Sequence, residues 1–249
     1  MAGLLGAGAV LGLLLVADRW LHRHLQGVMY LLSGDEEIAV WLYALVLFPG
    51  VVIHELSHAL MAALLGVRIG RISVLPKRVG DHVHLGFVPV ESTDFVRSSL
   101  IGAAPLMSGT AVILLVGIHL LGTPSLLAAM EAGQWEAAAQ ALRQAFHAPD
   151  AWLWFYLIFA VGHTMLPSRA DVQAWPFLAA LFAAVAAVLV AGGAGLLLLD
   201  GGRRLLAAAA AWLVLLGGSL LLADLPLFTL LAALEWGLMQ WTGKRIAYR

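Results

Sequence analysis

Residues 38–65 run IAVWLYALVLFPGVVIHELSHALMAALL. The stretch is longer than the roughly 20 apolar residues that cross a bilayer. Only Pro49-Gly50 and the group His54-Glu55-Leu56-Ser57-His58 interrupt it. A glutamate between two histidines inside such a segment is expensive to insert, about 2.5–3.5 kcal/mol for an acid at mid-bilayer. Its presence there points to a function.

The rest of the chain agrees with a membrane environment. Of 249 residues, 62% are hydrophobic and 12% charged, and mean hydropathy is +0.92. A soluble domain carries about 25% charged residues and could not bury this much apolar surface. Soluble globular enzymes and disordered chains are thereby excluded. A net charge of −1 offers no electrostatic footprint for nucleic acid. With no cysteine, disulfides, thiolate zinc sites and cysteine nucleophiles are excluded as well.

Apolar stretches near 2–17, 38–65, 98–122, 151–167, 176–199, 204–222 and 225–241 predict an all-α polytopic membrane protein with six to seven transmembrane helices. They form one integral membrane domain over residues 1–249. Residues 2–17 have no Lys or Arg before them and read as a first span, not a cleavable signal. Glu235, Trp236 and Trp241 suit an interfacial position for part of the last stretch. Between the second and third spans, 71–75 and 83–90 are rich in β-branched residues around Gly80-Asp81 and predict a small β-hairpin-like insertion. Residues 125–146 have the spacing of one amphipathic helix.

The pattern His54-Glu55-x-x-His58 carries the chemistry. Positions i and i+4 stack on one helix face, so both imidazoles point at a common spot where zinc can bind. Glu55 lies about 100° around the helix, within reach of a water at that spot without being a ligand. Two core histidines bonded to neighbours, one of them to Glu55, would give the same letters. From His58 to Leu65 is about 10 Å of helix, so the motif lies below the membrane surface on the side of residues 67–97. Pro49 removes a backbone hydrogen bond one turn earlier and can kink the helix.

Phe48-Pro-Gly-Val-Val-Ile-His-Glu-Leu-Ser-His-Ala59, the segment after it, Gly102-Ala-Ala-Pro-Leu-Met-Ser-Gly109 and Leu166-Pro-Ser-Arg-Ala-Asp171 together resemble the site-2 protease family of intramembrane zinc metalloproteases. The resemblance covers roughly residues 38–175, a candidate metalloprotease core, and leaves 176–249 as additional C-terminal spans. It implies Zn2+ held by His54, His58 and a third ligand, Glu55 as general base, and hydrolysis of a peptide bond in a membrane-protein substrate. That substrate is a single-span or other membrane protein, its unwound segment docking on the insertion. The family places an aspartate a few residues after a proline, which selects Asp171. This chain departs from the usual pattern, with Thr164 at an Asn position, Asp171 four residues beyond Pro167, and Val172 where Gly is expected.

Topology supports the same residue independently. Two spans separate the motif from Asp171, so crossing and returning brings Asp171 back to the motif's side. Ser168 to Asp171 also fits a helix-capping pattern, and His163 is the alternative ligand. His119 reads as a core histidine, His82 and His84 as a solvated strand face, and His22, His24 and His147 as interfacial. Arg68, Arg71, Lys77, Arg78 and Arg97 place this end near the cytoplasm by the positive-inside rule, in what composition suggests is a bacterial cytoplasmic membrane. Lys244, Arg245 and Arg249 agree only with six spans. With no sensor domain visible, regulation would come from a membrane partner or from lipid. A non-proteolytic metal-binding scaffold or transporter is the alternative function.

Overall fold

The computed structural model describes residues 2–79, 82–166, 168 and 170–246. Gly80-Asp81, Pro167, Arg169 and Arg249 lie outside the described residues, as do the side chains of Arg78, His82 and His84. The chain is mostly helical. Four segments, Leu5–Ser33, Phe95–His119, Trp175–Gly193 and Leu199–Thr242, are long and apolar enough to cross a membrane, and a bent pair makes a fifth. These helices fit an integral membrane protein.

The expected six to seven spans become four to five among the described residues, for identifiable reasons. Helix α1 runs over Ala2–Ser33, so residues 2–17 are only its first half. Residues 38–65 split into α2 (Glu36–Val46) and α3 (Phe48–Leu64), bent by 71° at Leu47. Pro49 lies in the first turn of α3, where its missing N–H costs nothing and its fixed φ suits a helix start.

The insertion follows, with three-residue strands β1 (Lys77–Val79) and β2 (His82–His84) paired antiparallel. Isolated bridges join Ile69 to Val90 and Ser73 to Phe87. Pairing is therefore sparser than the expected strands at 71–75 and 83–90. Pro89, which has no N–H, interrupts the ladder between Phe87 and Glu91.

Helix α4 (Phe95–His119) starts at Asp94, whose Oδ1 accepts from the N–H groups of Val96 and Arg97 at 3.1 and 3.0 Å. These bonds and the Arg97 guanidinium hold the exposed Asp94 carboxyl below its usual range. The predicted amphipathic helix is two, α5 (Thr123–Glu131) and α6 (Trp135–Phe146). They break at Gly133, whose φ of +67° belongs to the left-handed region that glycine enters without strain.

Helix α7 (Ala151–Gly162) spans only about 18 Å at 1.5 Å per residue, against a hydrocarbon core of about 30 Å. It is nevertheless the most enclosed helix, with Phe155, Ile158, Phe159, Ala160 and Val161 all buried. Helix α8 (Trp175–Leu189) and α9 (Gly195–Thr242) are separated by a kink at Gly193. The stretches 204–222 and 225–241 are thus one continuous helix. Asp224, between the two stretches, is fully buried and bonded to His163, and the helix continues past it.

Helices α3, α4 and α7 pack on one another, and α9 packs against α1, α4 and α7. Ile113 and Val116 of α4, Phe155 and Ile158 of α7, and Leu220 and Leu222 of α9 form one core cluster. In lipid, apolar side chains gain little by leaving the solvent, so such contacts depend on close approach and on polar bonds between helices. The broken end of α7 supplies both.

Candidate metal centre and its cavity

One turn apart on α3, His54 and His58 turn toward each other. Nδ1 of His54 lies 2.6 Å from the Thr164 carbonyl oxygen, just past the end of α7, and Nδ1 of His58 lies 2.9 Å from that of Ile101 in α4. A carbonyl only accepts, so each Nδ1 is the donor, and a neutral ring so held presents a bare lone pair at Nε2. Those two Nε2 atoms are 3.2 Å apart, and Oδ1 of Asp171 is 3.3 Å from that of His58. The three ligand atoms lie within 4.8 Å of one another.

With both rings neutral, the three atoms would all be acceptors and would repel unless a cation lay between them. Two imidazoles and a carboxylate suit zinc and other divalent transition metals, and backbone carbonyls on the far ring nitrogens are the usual outer partners of metal-bound histidine. The residues therefore fit a metal ion. The structure brings together the three side chains that sequence and resemblance select.

The two oxygens of the Asp171 carboxylate face different partners, and no helix starts at Ser168, since α8 begins only at Trp175. Oδ1 faces the histidines, while Oδ2 accepts from the Ser168 N–H at 2.6 Å and the Asp171 N–H donates to Ser168 Oγ at 3.4 Å. These turn bonds orient the carboxylate and leave Oδ1 facing the histidines. A second constraint comes from α4: a Cβ on Gly102 would run into the Asp171 carbonyl. Gly102→Ala is expected to displace the Asp171 backbone and weaken metal binding by about 10–100-fold, the usual effect of disturbing a ligand's support. A competition titration with a metallochromic chelator reads this out, and unchanged affinity would refute it.

Glu55 is not one of the converging atoms. It is 7% exposed, and its carboxyl packs against the insertion, where a Cβ on Gly86 would come within 2.6 Å of Oε1. Glu55, the three candidate ligands and residues 85–93 line one cavity of about 830 Å³, within the range of small-ligand sites. Backbone bonds tie Ser73 to Phe87, Gly70 to Pro89 and Arg68 to Glu91. Phe87, Pro89 and Glu91 therefore face residues 68–73, and by strand alternation Gly86, Val88 and Val90 present their backbone groups the other way.

Protein-family models, curated proteins and solved structures contain no match to this chain. The candidate site rests on its own geometry.

Other histidines depart from their sequence readings. His119 is exposed at the last position of α4 and is not a core residue. His24 of α1 is bonded to Glu235 of α9, which is buried. His163, the alternative ligand, lines the cavity but bonds to Asp18 and Asp224. Asp18 and Asp224 escaped the sequence reading. Asp18 carried a signal, lying four residues before His22 on what is one helix face; Asp224 carried none.

Proposed function

We propose that this chain is an intramembrane zinc metalloprotease that hydrolyses a peptide bond in or near the membrane segment of another membrane protein. One observation carries the reading: ligand atoms of two histidines and an aspartate converge beside a buried glutamate, in a cavity lined by residues 85–93 of the insertion. His54, His58 and Asp171 would hold zinc, leaving a fourth position open, as catalytic sites require. Zinc bound there supplies Lewis acidity and lowers the pKa of water to about 7.

The chain's own residues do the rest. Glu55 takes the proton from the attacking water on a carboxylate oxygen and returns it to the departing amide nitrogen. The Thr164 and Ile101 carbonyls hold the imidazoles in one tautomer. A substrate helix must unwind before its carbonyl can be attacked. The edge formed by Gly86, Val88 and Val90 offers the freed backbone groups a strand partner beside Glu55. In this reading the insertion works as a docking hairpin. Its basic residues, with Arg68, Arg71, Lys77 and Arg97, favour a cytoplasmic position for this end, in a bacterial cytoplasmic membrane. Six crossings would require α9 to count as two, and seven would require the short α7 to cross as well.

Replacing His54, His58 or Asp171 with Ala is each expected to remove one zinc equivalent per chain by elemental analysis. The functional test is cleavage of a panel of single-span proteins by the purified chain in liposomes. Cleavage should stop with a zinc chelator and resume when zinc is restored. Chelator-insensitive cleavage would overturn the mechanism. A zinc-loaded chain that cuts nothing in the panel would favour the scaffold or transporter reading.

A further inference from the structure

A second group of metal-ligating side chains lies across the end of α7 from the first. Asp18 and His22 are one turn apart on α1, and Asp18 Oδ1 is 3.1 Å from His22 Nε2 and 2.8 Å from His163 Nδ1. The three ligand atoms again lie within 4.8 Å of one another. The far nitrogen of each ring has its own partner. Nδ1 of His22 is 2.6 Å from the Tyr43 hydroxyl, and Nε2 of His163 is 3.2 Å from Asp224 Oδ1. Gln26 is a further hydrogen-bond partner of the same hydroxyl.

We propose that Asp18, His22 and His163 form a second metal centre, for a divalent ion of the zinc class, with Tyr43 and Asp224 as its outer hydrogen-bond partners. Asp224 is the independent observation that points to a cation. It is fully buried in α9, and its Oδ2 has no hydrogen-bond partner among the described residues. An ionised carboxylate as fully buried as Asp224, with Asp18 on the other side of the same imidazole, is stabilised by positive charge nearby. A divalent ion beside two neutral imidazoles supplies it at one point. His163 Nε2–H donating to Asp224 leaves Nδ1 bare toward Asp18, the carboxylate–histidine–metal arrangement that fixes a ligand's tautomer.

The proposed position also has a consequence for the first centre. His163 directly precedes Thr164, whose carbonyl orients His54. An ion joining α1 to the end of α7 fixes that carbonyl in place, so the second centre is structural. It does not depend on the chain being a protease.

The test is zinc content of the full chain, purified in detergent, equilibrated with zinc chloride and desalted. Wild type should hold two equivalents, and Asp171→Ala one. Adding Asp18→Asn or His22→Gln to Asp171→Ala should remove that remaining equivalent, while Asp18→Asn alone keeps one. If the equivalent surviving in Asp171→Ala is unaffected by both second substitutions, or if none survives, the cluster holds two protons in place of a metal and the proposal is overturned. Should the Asp18 and His22 variants fail to fold, cobalt titration of Asp171→Ala answers the same question. A visible absorption band saturating at one cobalt per chain supports the centre, and its absence refutes it.

Discussion

Glu55→Gln should keep its zinc and lose cleavage by about 10²–10⁴-fold, the range that a positioned general base contributes. Glutamine has nearly the same shape, so its packing against Gly86 survives. The three converging ligand atoms belong to other residues, so the metal survives too. What disappears is a carboxylate able to take a proton. Asp171→Ala should differ in kind, losing cleavage and one metal equivalent together. Rates measured in liposomes at saturating zinc, alongside elemental analysis, separate the two. Wild-type cleavage by Glu55→Gln would remove Glu55 from the chemistry.

The second large effect is expected at Gly50, and it is structural. A Cβ there would collide with the Ala160 carbonyl and with Thr164 Oγ1, so Gly50→Ala must push α3 away from α7. Overpacking of this kind costs about 1–3 kcal/mol or more, and here the obstacle is backbone, which cannot rotate aside. The displacement also acts on the site, because His54 reaches the Thr164 carbonyl at 2.6 Å only while the two elements touch. A lowered denaturation midpoint in detergent and weakened zinc binding are both expected. Gly12→Ala is the control, since no atom lies within 4 Å of its added Cβ and alanine favours a helix. Equal stability of Gly50→Ala and Gly12→Ala would contradict the packing described.

Several of these features were legible in the residues themselves. The i, i+4 spacing of His54 and His58 already placed both rings on one helix face, and composition alone specified the solvent. Asp171 needed the resemblance and a topological argument, because nothing local separates a ligand from a helix cap. In the structure one oxygen faces His58 and the other accepts from the Ser168 N–H in a turn that starts no helix.

What could not be read is what depends on contacts between distant segments. The carbonyls of Ile101 and Thr164 that fix the imidazole tautomers are backbone groups and leave no mark on side-chain identity. Asp224 went unread, and its bond to His163 keeps it buried within α9, where two apolar stretches counted separately are one helix. The count of six to seven spans is not confirmed for that reason, and again at α7, where hydropathy cannot reveal that an apolar run stops being helical at Gly162.

The most direct test of intramembrane hydrolysis is mass spectrometry of a cleaved single-span substrate, with the reaction run in ¹⁸O-labelled water. The account predicts a new C-terminus within or at the edge of the substrate's membrane segment, carrying one ¹⁸O atom and missing from the Glu55→Gln reaction. A product cut outside that segment, unlabelled, or formed equally by Glu55→Gln would contradict it.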